Sequence, residues 1–223
     1  MAPPFIAYHA ASTNDLGTLQ QAVNQCTLYR QVLQSTNGAW THIVGGSDPD
    51  PGLWSTGNGW AAAGMTRVLA TVMKAPIADS DGTWKGQASA DLSRYIQEIL
   101  DAAQEAPTVD GLLINYWNDG ANEDGLGFGE TSGTSLLAYV AYRMAVLRPV
   151  GLSQQKASRY VAWADQVRKT LGRHVTSTGV VGPAVDPYNP RDASPDTTGS
   201  AEGQSIVVLM YAAWRDCVWA HIC

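Results

Sequence analysis

An all-α toroid of alternating outer and inner helices is the fold class this sequence predicts, and three observations predict it. Segments with apolar residues at helical spacing fill most of the chain. They alternate between amphipathic and almost wholly apolar, the patterns of a half-exposed helix and of one buried all round. A glycine-containing opening also recurs: GNGW at Gly57, TSGTS at Thr131 and AEGQS at Ala201. Gly59, Gly133 and Gly203 thus return at roughly 70-residue intervals, a helical-repeat scale. Helices of the apolar kind should all start at one end of the toroid. The glycine loops and aromatics gather there, which is where a pocket should form.

Taken in order, Ala2–Ser12 predicts an apolar inner helix whose first turn tolerates Pro3 and Pro4. Asp15 or Asn14 caps the next helix, Leu16–Gln34. Its buried side should hold Leu19, Val23, Cys26, Leu28, Val32 and Leu33. Trp40–Val44 is short and β-prone, and Gly45–Trp54 is a Gly/Asp/Pro loop. Gly57–Ala75 is the stretch around which the chain is organised. Two glycines flank Asn58 and suit a tight turn, Trp54 and Trp60 bracket it, and Met65, Val68, Leu69 and Val72 give a buried helix face. A helix follows at Ala88–Ala106, with Leu92, Tyr95, Ile96, Ile99 and Leu100 in one stripe. Leu112–Trp117 is β-prone, and 118–130 is a glycine–acid loop. Thr131–Leu147 is apolar after its start, Ser153–Val175 amphipathic, and Val180–Val185 β-prone. After the Pro/Asp/Thr loop Asp186–Gly199, the apolar helix Ala201–Ile222 closes the chain. That makes seven helices: one leading inner helix and three outer–inner pairs, read as one partial toroid domain over residues 1–223. An inner helix with no outer partner before it implies that the chain begins mid-repeat.

Composition narrows the functional classes. Charged residues are 15% of the 223, and the net charge is −6. There is no basic stripe, which argues against nucleic acid, and no run of about 18 apolar residues to span a membrane. Eight Trp and nine Tyr against two Phe favour side chains with an apolar face and a polar handle, the kind that stack on flat hydroxylated ligands. The three cysteines, Cys26, Cys217 and Cys223, form no CxxC pair, so neither a zinc site nor a disulfide framework is expected. On a continuous helix Cys217 and Cys223 are about 9 Å apart in rise, too far for a disulfide unless the end frays. No cofactor is called for. Asp119, Glu123 and Asp124 have the composition of a calcium loop without its spacing and read as a solvated loop. His9, His174 and His221 have no partners at motif spacing. The N-terminus shows no basic n-region of a signal peptide.

Five stretches resemble the six-hairpin glycosidases: MAPPFIAY at Met1, TLQQAVNQCTLYRQVL at Thr18, LWSTGNGWAAAGM at Leu53, ETSGTSLLAYVAYRMA at Glu130 and SAEGQSIVVLMYAAW at Ser200. The likeness is to the unsaturated rhamnogalacturonyl hydrolases and the related unsaturated glucuronyl hydrolases, in wording closest to fungal members. It implies an (α/α)6 toroid, here incomplete because seven helices fall short of twelve. It implies a glycoside hydrolase of pectin or uronide oligosaccharide degradation, which hydrates the ring double bond of an unsaturated uronyl unit at the non-reducing end with an aspartate as general acid and base. In the family that aspartate precedes the MxxPF stretch, which here begins at Met1, so it has no counterpart in the chain. The bacterial pattern also carries an Arg before the glycine turn, able to grip a carboxylate. This chain has Ser55 and Thr56 there, a hydroxyl pair that can bond a sugar without neutralising a uronate.

The resemblance assigns substrate contacts to His42, Trp54, Thr56, Asn58 and Trp60. Glu130 and Glu202 stand at inner-helix N-termini, where a carboxylate either caps the helix or serves proton transfer. Two readings follow: a hydrolase acting on lyase-generated oligosaccharide ends, and a non-catalytic sugar-binding remnant or a fragment of a longer hydrolase. Low lysine content, an acidic pI and the fungal likeness point to an extracellular protein. An open arc should leave an apolar seam at Phe5, Ile6, Tyr211 and Trp214, through which copies could associate.

Overall fold

The computed structural model describes residues 2–80, 82–118, 127–192 and 194–223. Seven α-helices carry the architecture: α1 (Ala2–Thr13), α2 (Leu16–Leu33), α3 (Ser55–Lys74), α4 (Trp84–Glu105), α5 (Thr131–Leu147), α6 (Gln154–Leu171) and α7 (Ala201–Trp219). One two-stranded antiparallel ribbon, β1 (Thr108–Val109) with β2 (Leu112–Leu113), pairs Thr108 with Leu113 and Val109 with Leu112. The other β-prone runs give isolated bridges, Ile43 with Asp50, Trp54 with Tyr116 and Ala184 with Asp196 among them.

The helices α1, α3, α5 and α7 pack side by side in that order, and α2, α4 and α6 back onto α1, α3 and α5 respectively. This is the alternation of inner and outer helices that the sequence pattern predicts. Inside α5, 14 of 17 residues are buried, which makes it the centre of the row. Only six of the 19 residues of α7 are buried, as befits an end. At the other end, α2 buries Leu19, Val23 and Cys26 but leaves Leu28 and Val32 exposed. The helical period placed those two inside; among the described residues no helix packs over that side of α2.

Local signals set most helix starts. Asp15, rather than Asn14, caps α2 by accepting from Thr18 N (3.1 Å). Ser153 and Ser200 cap α6 and α7 in the same way. The start of α3 differs from expectation: the helix begins at Ser55, so the GNG stretch is helical and makes no turn. No side chain caps it; instead Ser55 N donates to the carbonyl of Asn115 (2.8 Å), a partner 60 residues away.

The repeating glycines are sites of close helix approach. A Cβ on Gly59 would lie 3.0 Å from the Cβ of Leu136 on α5. One on Gly203 would lie 3.0 Å from Ser132 Oγ, also on α5. One on Gly133 would overlap Ser55 at the start of α3. The repeat therefore marks where inner helices meet at their N-terminal ends.

The C-terminus corrects a second expectation. A disulfide joins Cys217 to Cys223, with Cα atoms 5.4 Å apart. The helix stops at Trp219, and His221 takes a left-handed φ of 55°, which folds the last residues back onto Cys217. Cys26 is a buried free thiol. Asp119, Glu123 and Asp124 lie outside the described residues.

Candidate functional site

Inner-helix N-termini and their loops converge at one end of the arc. Backbone and side-chain bonds lock these loops together. Trp117 N donates to Leu53 O, Asn115 N to Phe128 O, and Thr131 N to Pro183 O, all between 2.9 and 3.1 Å. Asn115 is a hub: its Oδ1 accepts from the Trp54 indole (3.0 Å) and its Nδ2 donates to Pro190 O (2.8 Å). These bonds fix Trp54 and deliver it, with the first turn of α3, to a cavity of about 290 Å³.

That cavity brings together His42, Trp54 and Trp60 from the predicted set, joined by Trp40, Tyr29 and Pro4. Tyr29, Trp40, Trp54 and Trp60 supply its aromatic surface. His42 packs on Trp54, with ring centroids 4.7 Å apart and a 49° tilt. Trp40 is 6% exposed, and its indole N–H is buried with no acceptor among the described residues. Cys26 also lines the wall, but burial pushes its thiol up to about 12, so it is not a thiolate at neutral pH.

Behind His42 stands a polar cluster that motif reading missed. Asp50 Oδ2 lies 2.8 Å from His42 Nδ1 and accepts from Tyr116 Oη (2.7 Å) and Arg191 Nε (3.1 Å). Asp50 Oδ1 accepts from Gly52 N (2.9 Å). Burial alone would raise the Asp50 carboxyl; these donors more than offset it and hold it at about 2. Burial and the adjacent Asp50 charge push the Tyr116 phenol well above its ordinary range. An ionised, immobile Asp50 therefore accepts a hydrogen bond from His42 Nδ1–H, fixes the ring's tautomer and leaves the other nitrogen free for a ligand. The hairpin that carries both residues, closed by mutual Ile43–Asp50 backbone bonds, sets their spacing. The His42–Asp50 separation of eight residues within a Gly/Asp/Pro loop was the one local signal of this pairing.

The remaining predicted residues lie elsewhere. Asn58 is 1% exposed, and its amide is committed to backbone: Oδ1 accepts from Trp40 N (2.7 Å), and Nδ2 donates to Trp40 O and Trp54 O. It holds the cavity's tryptophans in place. Thr56 is fully buried and donates to Glu130 Oε1 (3.4 Å). Glu130 is also fully buried and is the N-cap of α5, accepting from Ser132 N and Gly133 N at 2.6 Å each. Burial raises its carboxyl to about 7, against the lowering effect of those donors. Glu202 accepts from the Trp60 indole (2.8 Å) and so steadies one wall of the cavity from α7; its other oxygen is buried with no partner among the described residues. No carboxylate lines the cavity among the described residues.

No protein-family model and no curated protein matches the chain. Solved structures do. A possible member of glycoside hydrolase family 105 from Salmonella enterica superposes with a TM-score of 0.73 at 17% identity, over 95% of this chain and 53% of its own. The fold is the (α/α)6 toroid, present as an open arc. Unsaturated glucuronyl hydrolase from Bacillus sp. GL1, described as responsible for the degradation of glycosaminoglycan, gives 0.71 at 13% identity, over 96% and 56%. A family 88 glycosyl hydrolase from Bacteroides vulgatus gives 0.67 at 18%, over 99% and 60%. The chain thus spans between 53% and 60% of the length of these three neighbours. No described helix is long and apolar enough to cross a membrane.

Proposed function

We propose that the chain is a glycoside-hydrolase-like protein of uronide oligosaccharide degradation and that its mouth cavity takes a sugar end. The observation that carries this reading is His42, held by Asp50 and packed at a tilt against Trp54 in a tryptophan-walled cavity. Aromatic faces suit the apolar face of a sugar ring, and the free His42 nitrogen suits its hydroxyls. The neighbours' names supply the substrate class, an unsaturated uronyl unit. Hydration of such a unit needs a proton delivered to one carbon and water added to the next. Loss of a positioned acid typically costs about 10²–10⁴-fold. No carboxylate lines the cavity among the described residues, so binding should exceed turnover. That favours the binding reading over efficient hydrolysis.

Titration with an unsaturated uronyl disaccharide, followed by tryptophan fluorescence and by loss of the double bond's ultraviolet absorbance, tests both. Saturable binding with slow turnover is expected. Trp60→Ala and His42→Gln should each weaken binding about tenfold or more, while Glu130→Gln leaves it unchanged. Binding indifferent to both cavity variants would overturn the assignment, and fast turnover lost in Glu130→Gln would make Glu130 the catalyst.

Export from the cell is proposed on the same footing: the Cys217–Cys223 disulfide suits an oxidising compartment. Self-association is proposed as well. Of the predicted seam residues, Phe5 is 72% exposed, whereas Ile6, Tyr211 and Trp214 are half-buried. Trp214 is covered by the Arg168 guanidinium, 4.2 Å from its ring, and α7 exposes Val208 and Trp219 instead. Light scattering should show mass rising with concentration, and Phe5→Glu combined with Val208→Glu should return a monomer. A wild-type monomer at all concentrations would refute the seam.

A further inference from the structure

A second cavity, about 600 Å³, lies in the concave face of the arc between α1, α3, α5 and α7. Its volume falls within the roughly 300–1,000 Å³ of ligand pockets. Arg67 and Lys74 from α3 and Arg143 from α5 line it, and no acidic side chain does among the described residues. Arg143 is paired with Asp216 (2.7 Å) and lies over the Tyr139 ring, 5.6 Å from its centroid. Arg67 and Lys74 carry no ion pair among the described residues. On a chain of net charge −6, two cations without a carboxylate partner among the described residues, in one concavity, attract anions.

The groove and the mouth cavity share two walls. On α3, Gly57, Trp60, Ala61 and Gly64 line the mouth, and Arg67, Ala70 and Lys74 line the groove. These positions recur every three or four residues, so they form one face of one helix. On α1, Pro3 and Pro4 line the mouth, and Tyr8 and Ala11 line the groove, again one face. From Gly57 to Lys74 this shared track is about 26 Å long. Small residues at Ala61, Gly64 and Ala70 keep the α3 face low, and the cations stand beyond the tryptophan.

We propose that the groove is an anion-reading subsite continuous with the mouth, in which Arg67 and Lys74 hold carboxylates of uronate units beyond the end sugar. This rests on the sugar-end reading of the mouth and deepens it. Ser55 and Thr56, at the start of α3, are buried away from the mouth, and no Arg or Lys lines it among the described residues. The charge of an acidic oligosaccharide is then read about three to five helical turns along α3 from Ser55 and Thr56. Short neutral ends bind by stacking alone, and longer uronates add the ionic contacts.

Calorimetric titration with saturated tetragalacturonate, neutral cellotetraose and an unsaturated uronyl disaccharide tests this. The tetragalacturonate should bind more tightly than the cellotetraose and lose the advantage as salt is raised. Arg67→Gln with Lys74→Gln should weaken tetragalacturonate binding about tenfold or more and leave the disaccharide, too short to reach the groove, unaffected. The charge-keeping pair Arg67→Lys with Lys74→Arg should retain most of the binding, which separates charge from folding damage. Unchanged tetragalacturonate binding in the glutamine pair would overturn the groove while leaving the mouth reading intact. Disaccharide binding indifferent to Trp60→Ala, with a tetramer still sensitive to Arg67 and Lys74, would overturn the continuity instead. Inorganic phosphate competing as well as the tetramer would overturn the oligosaccharide assignment.

Discussion

Gly133→Ala should cost about 3 kcal/mol or more and lower the melting temperature by roughly 10 °C. The sign is informative, because alanine in a helix interior ordinarily stabilises by about 1 kcal/mol over glycine. Here the added methyl would sit 2.5 Å from the carbonyl carbon of Ser55 and 2.6 Å from Glu130 Oε1, and closer still to Ser55 Oγ. The hydroxyl can rotate away. The Ser55 backbone cannot, because its N–H is bonded to Asn115 O, and Glu130 is pinned by two backbone N–H groups. The clash must therefore push α5 from α3 at the mouth, where Trp54 and Trp60 are positioned. Gly86→Ala and Gly172→Ala are the controls. Neither Cβ would meet anything within 4 Å, so both should be neutral or stabilise by about 0.4–1 kcal/mol. Thermal melts of the three variants check this. A Gly133→Ala protein as stable as wild type would mean that the first turns of α3 and α5 are not as tightly apposed as described.

Much of this fold was legible because buried helices carry a period that needs no partner to be seen. The run Thr131–Leu147 is apolar on every face after its polar first turn, and it is the central helix at those bounds. Legibility failed where a distant segment supplies the missing piece. The start of α3 is set by a carbonyl from the β-prone run at Asn115, so GNGW imitates a turn while lying within a helix. The exposure of Leu28 and Val32 depends on what lies beside α2, which no local pattern encodes. The disulfide depended on where the last helix stops: one left-handed residue, His221, brings Cys223 back. In the site, His42, Trp54 and Trp60 were legible from the motif and share the cavity. Asp50 gains its meaning from Tyr116 and Arg191, 66 and 141 residues away. Asn58, Thr56 and Glu130 belong to the same stretches but face inward, because a polar residue in a glycine-rich first turn can serve the backbone as readily as a ligand.

Stability should peak in mildly acid solution, near pH 4 to 4.5, with two limbs of opposite sign. Glu130 sets the upper limb. Its burial makes the folded chain hold the proton more tightly than the unfolded one, with a carboxyl raised from 4.5 to about 7. The stability this contributes is complete below about pH 4.5 and is lost as the pH rises through 7, about 3 kcal/mol in all. Asp50 sets the lower limb. His42, Tyr116, Gly52 and Arg191 outweigh its burial and depress the carboxyl from 3.8 to about 2. That contribution is complete above about pH 4 and is lost as the pH falls through 2, about 2 kcal/mol. Urea unfolding of the wild type between pH 2 and 8 should trace this peak. Glu130→Gln should flatten the limb between 4.5 and 7, and Asp50→Asn should make the limb below 4 shallower, the rest of that limb coming from the lowered carboxyls of Asp15, Asp91, Asp196 and Asp216. The two residues touch the mouth by different routes: Asp50 through the His42 ring, and Glu130 through the apposed first turns of α3 and α5. Sugar binding should weaken as Asp50 is protonated, and Asp50→Asn should weaken it across the range by freeing the imidazole, whereas Glu130→Gln leaves it unchanged. A stability maximum at or above pH 7, unmoved by Glu130→Gln, would show that this buried carboxylate stays ionised in the folded chain and that its two backbone donors outweigh its burial.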